Sequence, residues 1–294
     1  MRRKLPRSDD PKRDRVLRAF PWLGGTETTL ATQFETEDLS DHRLEVDPSR
    51  RVWLEEITLR HVDFSGVQFG TRGGDGGLTV HACVFEDCDF REAVFHVADL
   101  GWQTFSVYRR CAFDRSKLRQ ILGRSPLSMA FQLGEARFEE CTFFDAEIRG
   151  WLAHEAEFVD CRFRGTIDGC RFFGRAVDRK WLRPRKRNEY RGNDFREVEF
   201  SGVRFEDGIP IGKQLWPESD DYVRLDRVRE RIRVVTAQIE NWEDDERREA
   251  ELVLKWIGEL RQAEIFDRRV EPGLDPAKAA VHHRVWRLLE VALD

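Results

Sequence analysis

Apolar residues recur along this chain at a spacing of five. From Phe85 the series runs Phe85, Phe90, Phe95, Leu100 and Phe105, and the residues two before the first four (Cys83, Cys88, Ala93, Ala98) are all small. The same pairing holds at Leu54, Leu59, Phe64 and Phe69, which follow Val52, Ile57, Val62 and Val67, and at Phe113 and Leu118, which follow Cys111 and Ser116. A longer run sets Phe138, Phe143, Ile148, Phe158 and Phe163 behind Ala136, Cys141, Ala146, Ala156 and Cys161; Phe172, behind Cys170, comes one residue early. The last run is Phe195, Phe200 and Phe205 behind Asn193, Val198 and Val203, and a weaker echo precedes them all at Phe34, Leu39 and Leu44. A helix stripe repeats every 3.6 residues and a strand face every two. A sustained period of five therefore predicts a coil that turns a corner every five residues, with two positions inward and three toward solvent.

With about twenty matching centres between residues 50 and 208, the chain resembles the pentapeptide repeat family. That resemblance implies a mainly β fold, a right-handed quadrilateral β-helix, whose square turns stack at about the 4.8 Å inter-strand spacing. Phe64, Phe69, Phe85, Phe90, Phe95, Leu100, Phe138, Phe143, Phe158, Phe163, Phe195, Phe200 and Phe205 are then its central core residues. Three divisions follow: a basic segment and cap over 1–50, the repeat coil over 51–208 with loops at 70–81, 119–135 and 174–192, and an α-helical region over 209–294.

All six cysteines (Cys83, Cys88, Cys111, Cys141, Cys161, Cys170) stand two before a central position. A metal site would pair them at a ligand spacing such as C-x2-C in one place. One repeated role points instead to small buried hydrophobes, and no metal or cofactor is expected. The carboxylates Glu86, Asp87, Asp89 and Glu92 fall on outward positions and read as a solvated face.

The breaks differ in character. The first, from Gly70, is glycine-rich, with no Lys-Ser/Thr after it to make a phosphate loop. The third carries eight Arg/Lys against Asp178 and Glu189, a balance of +6. Arg179, Lys180, Trp181, Arg183, Arg185, Lys186 and Arg187 in it are the partner-binding candidates. Basic residues with Trp181 and Tyr190 among them could hold phosphate backbones by charge and stacking, dock an acidic partner, or pin the loop to its own acidic coil. The coil is acidic: residues 136–173 hold eight Asp/Glu against five Arg.

Past Phe205 the period stops. Ser219 or Asp220 is placed to cap a helix whose stripe is Tyr222, Leu225, Val228, Ile232, Val235, Ile239 and Trp242. A second helix is expected over 244–268, burying Ala250, Val253, Leu254, Ile257 and Leu260. Pro276 suits the first turn of a third, with Val281, Val285, Leu288 and Ala292 along it. These helices could cap the coil, pair two copies or receive a partner.

Composition sharpens the picture. With 21 Phe against 3 Tyr the interior is expected to be dry. No apolar run approaches the roughly 20 residues of a membrane span, and the basic N-terminus lacks a secretory apolar core, so a cytoplasmic protein with no membrane role is expected. Gly208 to Gly212 is too short for a Walker A, His154-Glu155 lacks the second His of a zinc protease, and adjacent His282 and His283 point apart on a helix. The expectation is a non-enzymatic binding protein: an adaptor or regulator acting through the coil surface and the helices. The resemblance implies an alternative, a DNA mimic binding DNA gyrase or topoisomerase IV and altering sensitivity to fluoroquinolones or toxins. The mild net charge of −5 and outward Arg91, Arg137, Arg149, Arg162 and Arg164 depart from that pattern. Nucleic-acid binding through 174–192 is a further alternative.

Overall fold

The computed structural model describes residues 28–31, 47–49, 51–71, 76–101, 105–119, 133–176, 187–225, 227–259, 265–267 and 274–293. They are mainly β, with parallel strands gathered into sheets and three helices after them. Successive strands go to successive sheets. Arg51–Glu55 belongs to the first, Thr58–Arg60 to the second and Gln68–Phe69 to the third, before Gly77–His81 returns to the first. Glu157 lies beside Arg137, twenty residues back, where no loop intervenes. Across a break the register step is longer. Val84 sits beside Thr58 across the first break, and Tyr190 beside Phe158 across the third. Twenty residues is four groups of five, and across the first and third breaks the strands still pair in parallel.

The side chains obey the period. Phe64, Phe90, Phe113, Phe143, Phe163 and Phe195 form one buried column, with neighbouring rings stacked 4.7–5.0 Å apart. Phe85, Tyr108, Phe138 and Phe158 form a second, at 4.7–5.1 Å. Phe69 stacks on Phe95 in a third, which continues through Leu118, Ile148 and Ile167 to Phe200. Ring spacing matches strand spacing because each ring rides on a segment paired with its neighbours, by strands or by single bridges such as Asp63 to Asp89. Between columns the rings meet edge to face, as Phe138 and Phe143 do at 70°, an arrangement the aromatic quadrupole favours.

The corners are left-handed. Glu56, His61, Asp87, Glu92, Arg110, Arg115, Glu140, Asp145, Asp160 and Asp207, each two past a central residue, have φ of 52° to 61°. Gly150, Gly192 and Gly202 take the same place, at 60° to 69°. A non-glycine residue there is strained, and the stack compensates it. Corner N–H groups donate to the neighbouring turn: Asp87 to the Arg109 carbonyl at 2.9 Å, Arg110 to Glu139 at 2.8 Å and Asp160 to Arg191 at 2.8 Å.

Four expectations are corrected. Phe105 keeps the spacing but is 36% exposed, and Tyr108 takes the buried place. The chain restarts at Ser106–Arg109 after an insertion, so counting by fives across it points at the wrong ring. The glycine-rich break is shorter than 70–81, because Gly77–His81 is already a strand with Leu78 and Val80 buried. Tyr190 is not a loop aromatic: Tyr190–Arg191 is a strand, and its ring is buried against Phe158 and Phe172. The helix expected to start at Ser219 or Asp220 begins later. Tyr222–Arg224 is a strand, antiparallel to Ile265–Asp267, which falls inside the expected second helix.

The helices are α1 (Val228–Ile239), α2 (Asp244–Glu259) and α3 (Pro276–Val291). Arg227 at φ 45° turns the chain out of the strand and into α1. Asp275 caps α3 by accepting from the Ala277 and Lys278 N–H groups, with Pro276 in the first turn. The helices bury Val235, Ile239, Val253, Leu254, Ile257, Val281, Val285 and Leu289 against one another, in a core separate from that of the coil. The Arg231 guanidinium, buried among them, donates to the Leu289 and Glu290 carbonyls at 2.9 and 2.8 Å. That places a cation on the negative end of α3. Tyr222 packs on the coil core, while Val223 beside it belongs to the helical one.

Candidate interaction surfaces

The outward positions of the second sheet carry alternating charge from turn to turn. Glu86 lies between Arg60 at 2.6 Å and Arg109 at 2.7 Å, and Arg109 reaches Glu139 at 2.8 Å. Arg137 then binds Glu139, Glu157 and Glu189 at 2.5, 2.7 and 2.7 Å, and Arg191 joins Glu189 to Asp160, both at 2.8 Å. Other faces repeat the device with Arg110–Asp87, Arg115–Glu92, Arg164–Asp145, Arg149–Asp168, Arg171–Glu206 and Arg119–Glu147. The cause is geometric: residues twenty or so apart in sequence lie one strand apart in space, where opposite charges attract and like charges repel. Hydrogen bonds from Arg60 hold the Glu86 carboxyl below its ordinary value, those from Arg110 do so for Asp87, and those from Arg137 for Glu189.

Arg91, Arg137, Arg149 and Arg164 are therefore engaged with carboxylates of this chain, Arg91 with Asp89 two residues away. A sustained negative field needs unpaired carboxylates. These faces are mixed, and their charges are largely matched locally.

The cysteines lie inside. All six are free and buried, at 2% exposure or less. Cys88, Cys111, Cys141 and Cys161 follow one another on successive turns, each thiol facing the carbonyl of a central residue one turn back: Leu59 at 3.5 Å, Phe85 at 3.6 Å, Tyr108 at 3.2 Å and Phe138 at 3.4 Å. Burial pushes the Cys83 thiol up to about 11 and that of Cys170 up to about 12, which disfavours the reactive thiolate. Among the described residues no group of His, Cys, Asp and Glu is arranged to hold a metal ion, and no helix is long and apolar enough to cross a membrane.

Of the basic-loop candidates, Arg179, Lys180, Trp181, Arg183, Arg185 and Lys186 lie outside the described residues. Arg187 is exposed, and Asn188 after it is buried, donating to the Phe173 and His154 carbonyls at 2.6 and 2.8 Å. That bond pair anchors the returning end of the loop. Most of the expected cap over 1–50 is likewise outside; Thr28–Ala31 is a strand laid parallel on Arg51–Glu55.

The helices present a different surface. Leu252 and Trp256, one turn apart on α2, are 61% and 47% exposed, and Val291 on α3 is 60% exposed. The Trp256 ring meets Trp286 of α3 edge to face at 6.5 Å. Around them stand Arg248, Lys255 and Glu259, all exposed. The sequence carried a signal for this patch that the expected buried stripe did not include: Leu252 and Trp256 are four apart and lie off the Ala250, Val253, Leu254, Ile257 line. His282 of α3 lies 2.8 Å from Glu249, which also meets Lys278 at 3.1 Å. The hydrogen bond from His282 is the main reason the Glu249 carboxyl is held low.

No protein-family model matches this chain, and no curated protein matches it. Similar solved structures include three of QnrB1, a plasmid-mediated fluoroquinolone resistance protein. A trypsin-treated variant is 14% identical, with a TM-score of 0.19, covering 56% of this chain and 89% of that one. A second trypsin-treated variant is 17% identical with a TM-score of 0.17, and the full-length protein 17% with 0.16; both cover 56% of this chain and 91% of the other. Likeness at these scores carries no argument about what this chain does.

Proposed function

We propose that the chain is a non-enzymatic protein-binding scaffold, an adaptor or regulator, in which a right-handed, four-sided β-helix of the pentapeptide type carries a helical head that receives a partner. Twenty-residue turns, inward rings at every fifth position and left-handed corners support the closed coil. The observation that carries the binding reading is the division of the surface. The coil faces largely match their charges within the chain and expose Phe105 and Leu215 singly, whereas Leu252 and Trp256 leave apolar area in water one turn apart on a single helix, with Val291 on another. Isolated exposed apolar residues are ordinary, but two on one helix face, rimmed by charge, fit a site of association.

The test is a photo-crosslinking amino acid placed singly at Leu252 and Trp256 on the helices and at Arg149 and Glu199 on the coil, in cells making the full chain. Covalent capture of a discrete protein from the helix sites and not from the coil sites supports the reading. Capture from the coil sites alone sinks it. A gyrase supercoiling assay with purified protein addresses the gyrase alternative: paired coil charges predict no inhibition and no protection from a fluoroquinolone, and a dose-dependent effect would move the site to the coil.

A further inference from the structure

The column of stacked rings that starts at Phe64 does not end at Phe195. Trp216 lies on Phe195 with ring centroids 5.1 Å apart and planes 14° apart, as the last rung. Its orientation is fixed twice, by the Phe205 ring edge-on at 4.9 Å and by a hydrogen bond from its Nε1 to the Ile211 carbonyl at 2.9 Å. One face is thus covered and the ring stays half-buried. It lines a cavity of about 430 Å³ beside Asp194–Ser201 and Tyr222–Arg224, with Leu215, Pro217, Phe200 and Tyr222 as the other apolar walls. The Tyr222 hydroxyl is bound to both backbone groups of Phe200, accepting at 2.8 Å and donating at 3.2 Å, so this wall is also fixed. That volume lies within the range of small-molecule sites, about 300–1,000 Å³.

Three charged side chains share the cavity. Arg196 is already committed to Asp194 at 2.7 Å. Arg224 is exposed and has no ion-pair partner among the described residues. Glu218 brings one carboxylate to the same rim, which penalises a doubly charged phosphate more than a single carboxylate. Leu215, 48% exposed, leaves apolar area at the mouth. We infer that this cavity binds a planar aromatic ring bearing one carboxylate: the ring continues the column on Trp216, and the carboxylate takes the Arg224 guanidinium. The ligand is either a free aromatic acid or an aromatic side chain next to an acidic one in a polypeptide. The inference is independent of the partner reading of the helices, which lies on other residues.

Isothermal titration of the full chain with N-acetyl-L-tryptophan tests it. Saturable one-to-one binding is expected. N-acetyl-tryptophanamide, which lacks the carboxylate, should bind about fivefold more weakly, the size of one solvent-accessible charged hydrogen bond. Arg224→Gln, on an exposed residue, should bring the acid down to the affinity of the amide and leave the amide unchanged. Trp216→Leu should cost about tenfold or more, as loss of one stacking platform does. Phenyl phosphate should bind more weakly than N-acetyl-tryptophan. A capped Gly-Trp-Asp-Gly peptide separates the sources: tighter binding than the free acid assigns a polypeptide, weaker binding a small molecule. Absence of saturable binding for both acid and peptide overturns the proposal, as does binding that Arg224→Gln leaves unchanged.

Discussion

Phe143 offers the sharpest test of the repeat architecture. Its ring is 1% exposed and stacked between Phe113 at 5.0 Å and Phe163 at 4.8 Å, with the edges of Phe138, Phe158 and Trp151 within 6.3 Å. Truncation to Ala removes on the order of 100 Å² of buried apolar area, about 2.5 kcal/mol at roughly 25 cal/mol per Å². Two stacked pairs are lost as well, each worth about 0.5–1.5 kcal/mol. The cavity sits between turns held by strand pairing on every side, so it closes only in part. The expected cost of Phe143→Ala is about 3–5 kcal/mol, the usual range for a buried Phe. The assay is urea unfolding followed by far-UV circular dichroism, with Phe105→Ala as control. Phe105 has the same residue type at the same nominal spacing but is 36% exposed, and its loss should cost under about 1 kcal/mol. A cost for Phe143→Ala below about 1 kcal/mol, or equal to that of the control, would refute the stacked column. An array of turns need not unfold in one step, so the comparison uses the first transition.

Other expectations follow from single contacts. Tyr108→Phe removes the hydroxyl that donates to the Leu100 carbonyl at 2.9 Å and should lower stability by about 1–2 kcal/mol in thermal or urea melts, the cost of an unmet buried acceptor; no change would mean another donor reaches that carbonyl. Arg137→Gln removes the cation from beside Glu157, whose side chain is 4% exposed and also accepts from the Glu189 N–H at 3.0 Å, and should cost about 3 kcal/mol; adding Glu157→Gln should recover part of it, and strict additivity of the two losses would remove the ion pair from the account. Lowered carboxyls at Glu86, Asp87 and Glu189 mean the folded state binds protons less readily than the unfolded one. Their contribution is complete above the unfolded carboxyl range near pH 4–4.5 and is lost as pH falls through the lower folded values. The melting temperature should therefore drop below about pH 4, and a flat profile down to pH 2 would contradict the pairing.

The stacked rings were legible because their period is local: five residues, one face, one inward ring. What escaped depends on groups distant in the chain. Phe105 matches the spacing, yet the insertion before Ser106 resets the count, and only strand pairing with Ala136–Glu139 fixes where it restarts. Tyr222, Leu225, Val228 and Ile232 fit a helix stripe, yet Tyr222–Arg224 is a strand because its partner, Ile265–Asp267, lies far along the chain. The left-handed corners left a trace, since Gly150, Gly169, Gly192 and Gly202 all stand two past a centre, but Asp, Glu and Arg at the same place obscured it. The charge ladders were invisible as pairs because Arg109 and Glu139 are thirty residues apart. The basic segment's Arg179 to Lys186 lies outside the described residues.

Among the described residues, two buried aromatics with polar tips, Tyr108 and Trp151, stand on either side of 120–132. Tyr108 donates from inside to Leu100, at the end of the first sheet, and the Trp151 indole donates to Leu118 at 2.7 Å, just before the interruption. A Phe ring has nothing to offer a backbone carbonyl; a hydroxyl and an indole N–H do. The two side chains work as splices. The Trp151 indole thereby ties Lys117–Arg119 to strands that follow residue 133, so a change made between the two should leave the strands on either side aligned.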